Sequence, residues 1–247
     1  MNSKFKTPSR RQMLAILGGA SALGSLTAAD GCLPASASQT EGPYWVDEML
    51  NRSDIRSDPS DGLTKPGAPL HLALSFHDVR ALGCKPVDNA QIDIWQCDAA
   101  GLYSDARDNR TIGKKFLRGY QMTGRGGGVN FVTVYPGWYH GRTVHVHFRV
   151  RRKLENGTLE QFTAQLFFPD DLSDQVFRQE PYAGHRNRDI KNSNDMVMHE
   201  SGEGASLYPE MKTVADKSYV GTLDIGIDFS KQADRHFGGR GPRRDRL

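Results

Sequence analysis

The sequence predicts an all-β fold, an antiparallel β-sandwich with long loops and little helix, and three observations carry that prediction. Six segments alternate apolar and polar residues or are rich in β-branched residues, turn signals stand between them, and no apolar stripe of helical period matches their strength. The 26 glycines and 12 prolines suit short strands joined by turns, since neither residue is favoured inside helices. With 37% hydrophobic and 9% aromatic residues in 247, the chain can bury one good core, and a single all-β domain of that size is ordinary.

Residues 1–30 read as a leader rather than as part of the fold. Ser9-Arg-Arg-Gln-Met-Leu14 precedes a short run rich in Gly, Ala and Ser that ends near Ala29, the pattern of a cleaved twin-arginine export signal. No later segment approaches the ~20 apolar residues of a spanning helix, so the expected product is an exported protein, periplasmic or extracellular, with no stable membrane anchor. Without Lys4, Lys6, Arg10 and Arg11 the formal charge falls from +3 to −1, which argues against a surface built to hold nucleic acid. Residues 31–65 form a turn-rich N-terminal loop segment containing the compact cluster TEGPYW at 40–45.

The predicted sandwich domain covers 66–230. Its strands are LHLALSFHDV at 70–79, QIDIWQCD at 91–98, VNFVTVYP at 129–136, TVHVHFRVRR at 143–152, FTAQLFF at 162–168 and YVGTLDIGID at 219–228. DDLSDQVFRQ at 170–179 suits a short helix, residues 180–212 read as long loop, and residues 231–247 as a basic flexible tail. Of three cysteines, Cys32 and Cys84 flank turn residues in GCLP and GCKP, whereas Cys97 lies inside a strand. One Cys32–Cys84 bridge and one buried thiol is the favoured arithmetic in a compartment that permits disulfides.

The densest chemistry lies in PGWYHGRTVHVHF at 136–148. Residues two apart on a strand share a face, so His145 and His147 point together while Val144, Val146, Phe148 and Val150 supply the core face. Alone, an H-x-H pair is a weak sign of a metal site, and a solvated strand face carrying two histidines is the commoner reading. Tyrosines are the groups at hand to join the imidazoles, and a phenolate is a hard ligand that suits ferric iron. Tyr139 precedes the histidine strand and Tyr103 follows QIDIWQCD, although spacing alone does not select either from the other six tyrosines.

Five stretches together resemble the intradiol ring-cleavage dioxygenases, whose members include catechol and protocatechuate dioxygenases. They are TEGPYW at 40–45, DIWQCDAAGLYS at 93–104, FLRGYQMT at 116–123, FVTVYPGWYHGRTVHVHF at 131–148 and AQLFFPDD at 164–171, in the family's order. The resemblance implies a non-haem Fe(III) cofactor held by Tyr103, Tyr139, His145 and His147. It implies a catechol-type diol and O2 as small-molecule partners, and ring cleavage between the hydroxylated carbons to a cis,cis-muconate-type product. By the same resemblance Tyr139 is the ligand that substrate displaces, Arg142 stabilises negative charge on the ring and Gln165 positions the substrate. Tyr44, in EGPYW, is a candidate for the pocket lining, with a packing role as the alternative. The five residues between Tyr139 and His145 replace a longer insertion in better-known members, which implies a shorter, more open rim. No helical N-terminal dimerisation segment is present in the sequence, and a homo-oligomer is left open. Two other classes compete: an exported prealbumin-like binding module without catalysis, and a copper- or zinc-binding sandwich built on H-x-H. The latter calls for further histidines and an aspartate in matching segments.

Overall fold

In the computed structural model, residues 32–81, 83–200, 207–214 and 217–231 are described; the predicted leader and all but the first residue of the predicted tail lie outside them. Strand β1 (Pro69–Asp78) alternates half-buried and buried positions along its length, and Leu70, Leu72, Leu74 and Phe76 point into the core. One of its edges pairs antiparallel with β5 (Gly128–Val134) and, near its C-terminal end, with the two-residue β2 (Lys85–Pro86). Its other edge pairs with β9 (Tyr219–Ile227), which pairs antiparallel with β8 (Glu210–Thr213). The second sheet has the order β4-β3-β6-β7 and is antiparallel throughout, from β3 (Gln91–Trp95), β4 (Arg118–Met122), β6 (His145–Lys153) and β7 (Leu159–Phe167).

The two sheets share one apolar core, so the sandwich expected from the alternating segments is what the chain forms. Phe148 of β6 links the layers, with its ring 5.6 Å from Phe76 of the first sheet and 6.2 Å from Phe162 of its own. Two features differ from the expectation. The β1–β9 pairing is parallel, which the long connection through the whole second sheet permits and a hairpin would not. Residues 180–212, read as loop, contain the short helix α2 (Met196–Glu200) and edge strand β8; Glu210, Lys212 and Thr213 are exposed, so β8 carries no buried alternation to betray it. The helix predicted at 170–179 is α1 (Asp170–Val176), with Asp170 and Asp171 in its first turn where they complement the helix dipole. Cys32 and Cys84 form the disulfide and Cys97 is free and buried.

What this fold positions is the outer face of the second sheet. Register places Trp95, His147 and Gln165 side by side across β3, β6 and β7 on that face, with His145 beside Phe167 one step along. An outer sheet face would normally be wet, yet His145 and His147 are only 2% and 1% exposed. The cover is the N-terminal segment around TEGPYW. Its Gln39 N–H bonds the Thr163 carbonyl, and Trp45 packs 4.7 Å from Trp95 beneath the guanidinium groups of Arg149 and Arg151. Arg149 pairs with Glu41 and Arg151 with Asp47, so charged side chains of β6 fasten both ends of the segment. Among the described residues no helix is long and apolar enough to cross a membrane.

Candidate metal centre

Two loops deliver the tyrosines. The turn after β3 is shaped by Asp98, whose Oδ1 accepts the N–H groups of Ala100 and Leu102, and by Gly101 in the left-handed region at φ 83°. Beyond it the Tyr103 N–H is held by Asn109 Oδ1 at 2.7 Å. The PGWY loop lies directly against this turn. A Cβ on Gly101 would collide with the Trp138 carbonyl, and one on Gly137 with the Asp98 carbonyl. The glycines of AGLY and PGWY therefore let two backbones touch and bring Tyr103 and Tyr139 together. Gly137→Ala forces these backbones apart at an overpacking cost of roughly 2 kcal/mol. A drop in Tm of about 5 °C is expected in a thermal melt of the full chain.

Four donor atoms converge where these loops meet the histidine strand. The Tyr103 and Tyr139 hydroxyls each lie 3.3 Å from His145 Nε2, and His147 Nε2 is 3.1 Å from the same atom. The Thr143 carbonyl, 2.7 Å from His145 Nδ1, can only accept, so Nδ1 carries the proton and the Nε2 lone pair faces the centre. His147 Nδ1 has no hydrogen-bond partner although it is buried. Three groups thus crowd one lone pair, an arrangement that a cation drawn to two phenolate oxygens and two imidazole nitrogens would relieve.

The surroundings keep all four groups neutral while no cation is present. Burial, reinforced by Tyr139, holds the Tyr103 phenol well above its ordinary value; burial raises Tyr139 to about 12 against the opposing pull of Arg142. Burial, with Arg142 nearby, pushes His145 down to about 3, and burial with its neighbour His145 depresses His147 strongly. Neutral imidazoles are ready ligands, and a metal must displace the phenol protons. Ring packing fixes the geometry: Tyr44 stacks on Tyr103 at 4.3 Å, and Trp95 stacks on His147 at 4.8 Å with an interplanar angle of 6°. Tyr103 is fully buried, whereas Tyr44 and Tyr139 are partly exposed, so solvent reaches the centre from their side.

Arg142 lies beside this centre, its Nε 2.8 Å from Asp195 and its Nη2 2.5 Å from Gln165 Oε1. Gln165 also donates to the Thr40 carbonyl at 3.1 Å, tying β7 to the covering segment. The chain thus brings together Tyr44, Tyr103, Tyr139, Arg142, His145, His147 and Gln165. Among the described residues no group of three His, Cys, Asp or Glu side chains could hold a metal, because here two of the four donors are phenols.

Three further residues belong to the centre without a sequence signal of their own for that role. Trp95 is marked in the sequence only as part of a strand. Arg118, in FLRGYQMT, is a buried guanidinium donating to Ser104 Oγ at 2.7 Å and to the Ser104 and Tyr44 carbonyls at 2.6 Å. It links the Tyr103 loop to the covering segment, and burial lowers its pKa to about 10. Asp195 sits in the stretch read as loop, with no motif to mark it.

A family model described as Dioxygenase matches residues 40–192. An intradiol ring-cleavage dioxygenase from Tetranychus urticae is 29% identical with a TM-score of 0.69, covering 82% of this chain and 98% of its own. The dioxygenase domain of a dioxygenase and carbohydrate-binding fusion from Streptomyces sp. SirexAA-E is 25% identical with a TM-score of 0.55, covering 79% and 99%. Catechol 1,2-dioxygenase from Pseudomonas arvilla C-1, 19% identical with a TM-score of 0.53 over 83% of this chain and 67% of its own, shares the fold. No curated protein sequence matches. The matched segment contains every one of the converging tyrosines and histidines, and with it more than half of the chain, which therefore belongs to the intradiol ring-cleavage dioxygenases, a family of oxidoreductases.

Proposed function

We propose that the protein is a non-haem Fe(III) dioxygenase that opens a catechol-type ring between its two hydroxylated carbons with O2, giving a cis,cis-muconate-type product. One observation carries the reading: two phenol oxygens and two imidazole nitrogens converge with 3.1–3.3 Å spacings around His145 Nε2. Tyr103, Tyr139, His145 and His147 would hold the ion. When bound, ferric iron supplies the Lewis acidity and electron-accepting power that make a catecholate reactive toward O2.

The chain's own residues account for the rest. Once ion binding had displaced its phenol proton, the Oη of the partly exposed Tyr139 would be placed to take a proton from the arriving diol, while the fully buried Tyr103 stays a fixed ligand. Tyr44 stacks on Tyr103 at 4.3 Å and stands edge-on to Tyr139 at 5.9 Å, forming an aromatic wall for the ring. The Arg142 guanidinium, held by Asp195 and Gln165, offers a fixed positive charge to the ring as negative charge develops there. The covering segment and Trp95 keep water from the histidine side.

Export fits the same reading. The twin-arginine leader handles folded proteins, which suits one that acquires iron before leaving the cytoplasm, and the Cys32–Cys84 disulfide is at home in an oxidising compartment.

The test begins with colour. Purified full-length protein is expected to be red-brown with bound iron, through a tyrosinate charge-transfer band that shifts when catechol is added without oxygen. With oxygen, it should consume O2 and release muconate-type products. A folded, colourless preparation that takes up no iron would leave the binding-module alternative standing instead.

A further inference from the structure

The carboxylate that the sequence did not mark, Asp195, occupies the junction of three elements and is fully buried. Its Oδ2 accepts from Arg142 Nε at 2.8 Å and from the Thr143 N–H at 2.8 Å. Its Oδ1 accepts from the Met198 N–H at 2.9 Å and lies 3.4 Å from Arg142 Nη2. Both oxygens are therefore used, on the guanidinium fork, on the backbone that enters β6 and on the first turn of α2. Arg142 Nη2 continues to Gln165, and Gln165 to the Thr40 carbonyl, so hydrogen bonds run from α2 through Arg142 to the covering segment. Thr143, whose N–H Asp195 holds, is also the residue whose carbonyl orients His145.

From this arrangement we infer that Asp195 is a positioning residue, which fixes the Arg142 guanidinium beside the site so that its charge acts on the reacting ring without a reorganisation step. The inference rests on the proposed function for its kinetic consequence, but the fixing of Arg142 stands on geometry alone. An arginine with many rotamers loses most of its value to a transition state if it must first be ordered; a buried carboxylate facing both Nε and Nη2 does the ordering in advance. Asp195 lies just beyond residue 192, where the family match ends.

The rival role for Asp195 is the cap of α2, and two substitutions separate the roles. Asp195→Ser keeps a good capping oxygen for the Met198 N–H but cannot reach Arg142; Asp195→Asn keeps the shape and loses the charge. In iron-loaded full-length protein both variants are expected to retain the visible band. Both should lower kcat for catechol about 10- to 100-fold, with KM within about threefold, the signature of an interaction realised in the transition state. In the iron-free full chain, the Arg142 Nε–H signal followed by NMR should exchange with solvent at least about tenfold faster in both variants. Wild-type kcat in the serine variant, or an Arg142 Nε–H equally protected in variant and parent, would overturn the inference. Failure of the parent protein to turn over catechol counts against the proposed function instead, and the exchange measurement then decides the fixing of Arg142.

Discussion

Tyr103→Phe is expected to abolish the tyrosinate colour contributed by that residue and to weaken iron retention by more than about 100-fold, while leaving the sandwich intact. The substitution removes one oxygen from a ring that is fully buried and stacked on Tyr44, so volume and stacking are conserved. What disappears is one of four converging donors, and one of the two that would become anionic on binding the proposed ion. A hard trivalent ion is held mainly by anionic oxygen, so the lost charge matters more than the lost contact. Tyr139→Phe provides the comparison: its ring is partly exposed and is the one expected to yield to substrate, so iron should be retained better than in the Tyr103 variant. Iron content after gel filtration, the visible spectrum and the thermal melt together decide the matter. Full iron occupancy in Tyr103→Phe would remove that residue from the ligand set.

Much of this architecture is legible in the sequence, for reasons that particular residues make clear. Strand β1 buries Leu70, Leu72, Leu74 and Phe76 at every second position, and that alternation is written in LHLALSF. The same logic places Val146, Phe148 and Val150 inward and so forces His145 and His147 onto one face. It does not say that this face is dry. Burial comes from residues 39–47 folding back a hundred positions along the chain, anchored by Glu41 to Arg149 and Asp47 to Arg151, and no local pattern records such pairs. Nothing in the sequence marks strand β4, because RGYQM offers no apolar alternation: its two buried positions, Arg118 and Gly119, carry a charged group and no side chain. The tyrosine pair was legible only through the motifs around it. AGLY and PGWY show their physical meaning once their glycines are seen to let two loops touch. Asp195 had no signal at all, since one carboxylate in a polar stretch becomes distinctive only when Arg142 is found against it.

Arg142→Ala is expected to keep iron and lose roughly 10²- to 10³-fold in kcat, the magnitude typical of removing one charge-stabilising donor from a preorganised site. The alanine variant carries a second consequence that must be separated from the first. Arg142 is the ion-pair partner of Asp195, whose carboxyl burial would raise but which the hydrogen bond and charge of Arg142, with the backbone N–H groups of Thr143 and Met198, hold below its ordinary value. Deleting the guanidinium strands a fully buried carboxylate, at a stability cost of about 3 kcal/mol. Because the pair holds the folded-state carboxyl below its unfolded value, its stabilisation is present above the ordinary carboxylate range and is lost as pH falls through the depressed value. The variant should lose that acid-side dependence along with its stability at neutral pH. Arg142→Ala combined with Asp195→Asn removes both charges and should recover most of the lost Tm while remaining slow, which assigns the rate loss to the missing guanidinium rather than to a damaged fold. Arg142→Lys retains a cation for Asp195 but not the planar fork that spans Asp195 and Gln165, and its kcat should fall between the parent and the alanine variant. Normal turnover in iron-loaded Arg142→Ala would refute its role in stabilising charge on the ring.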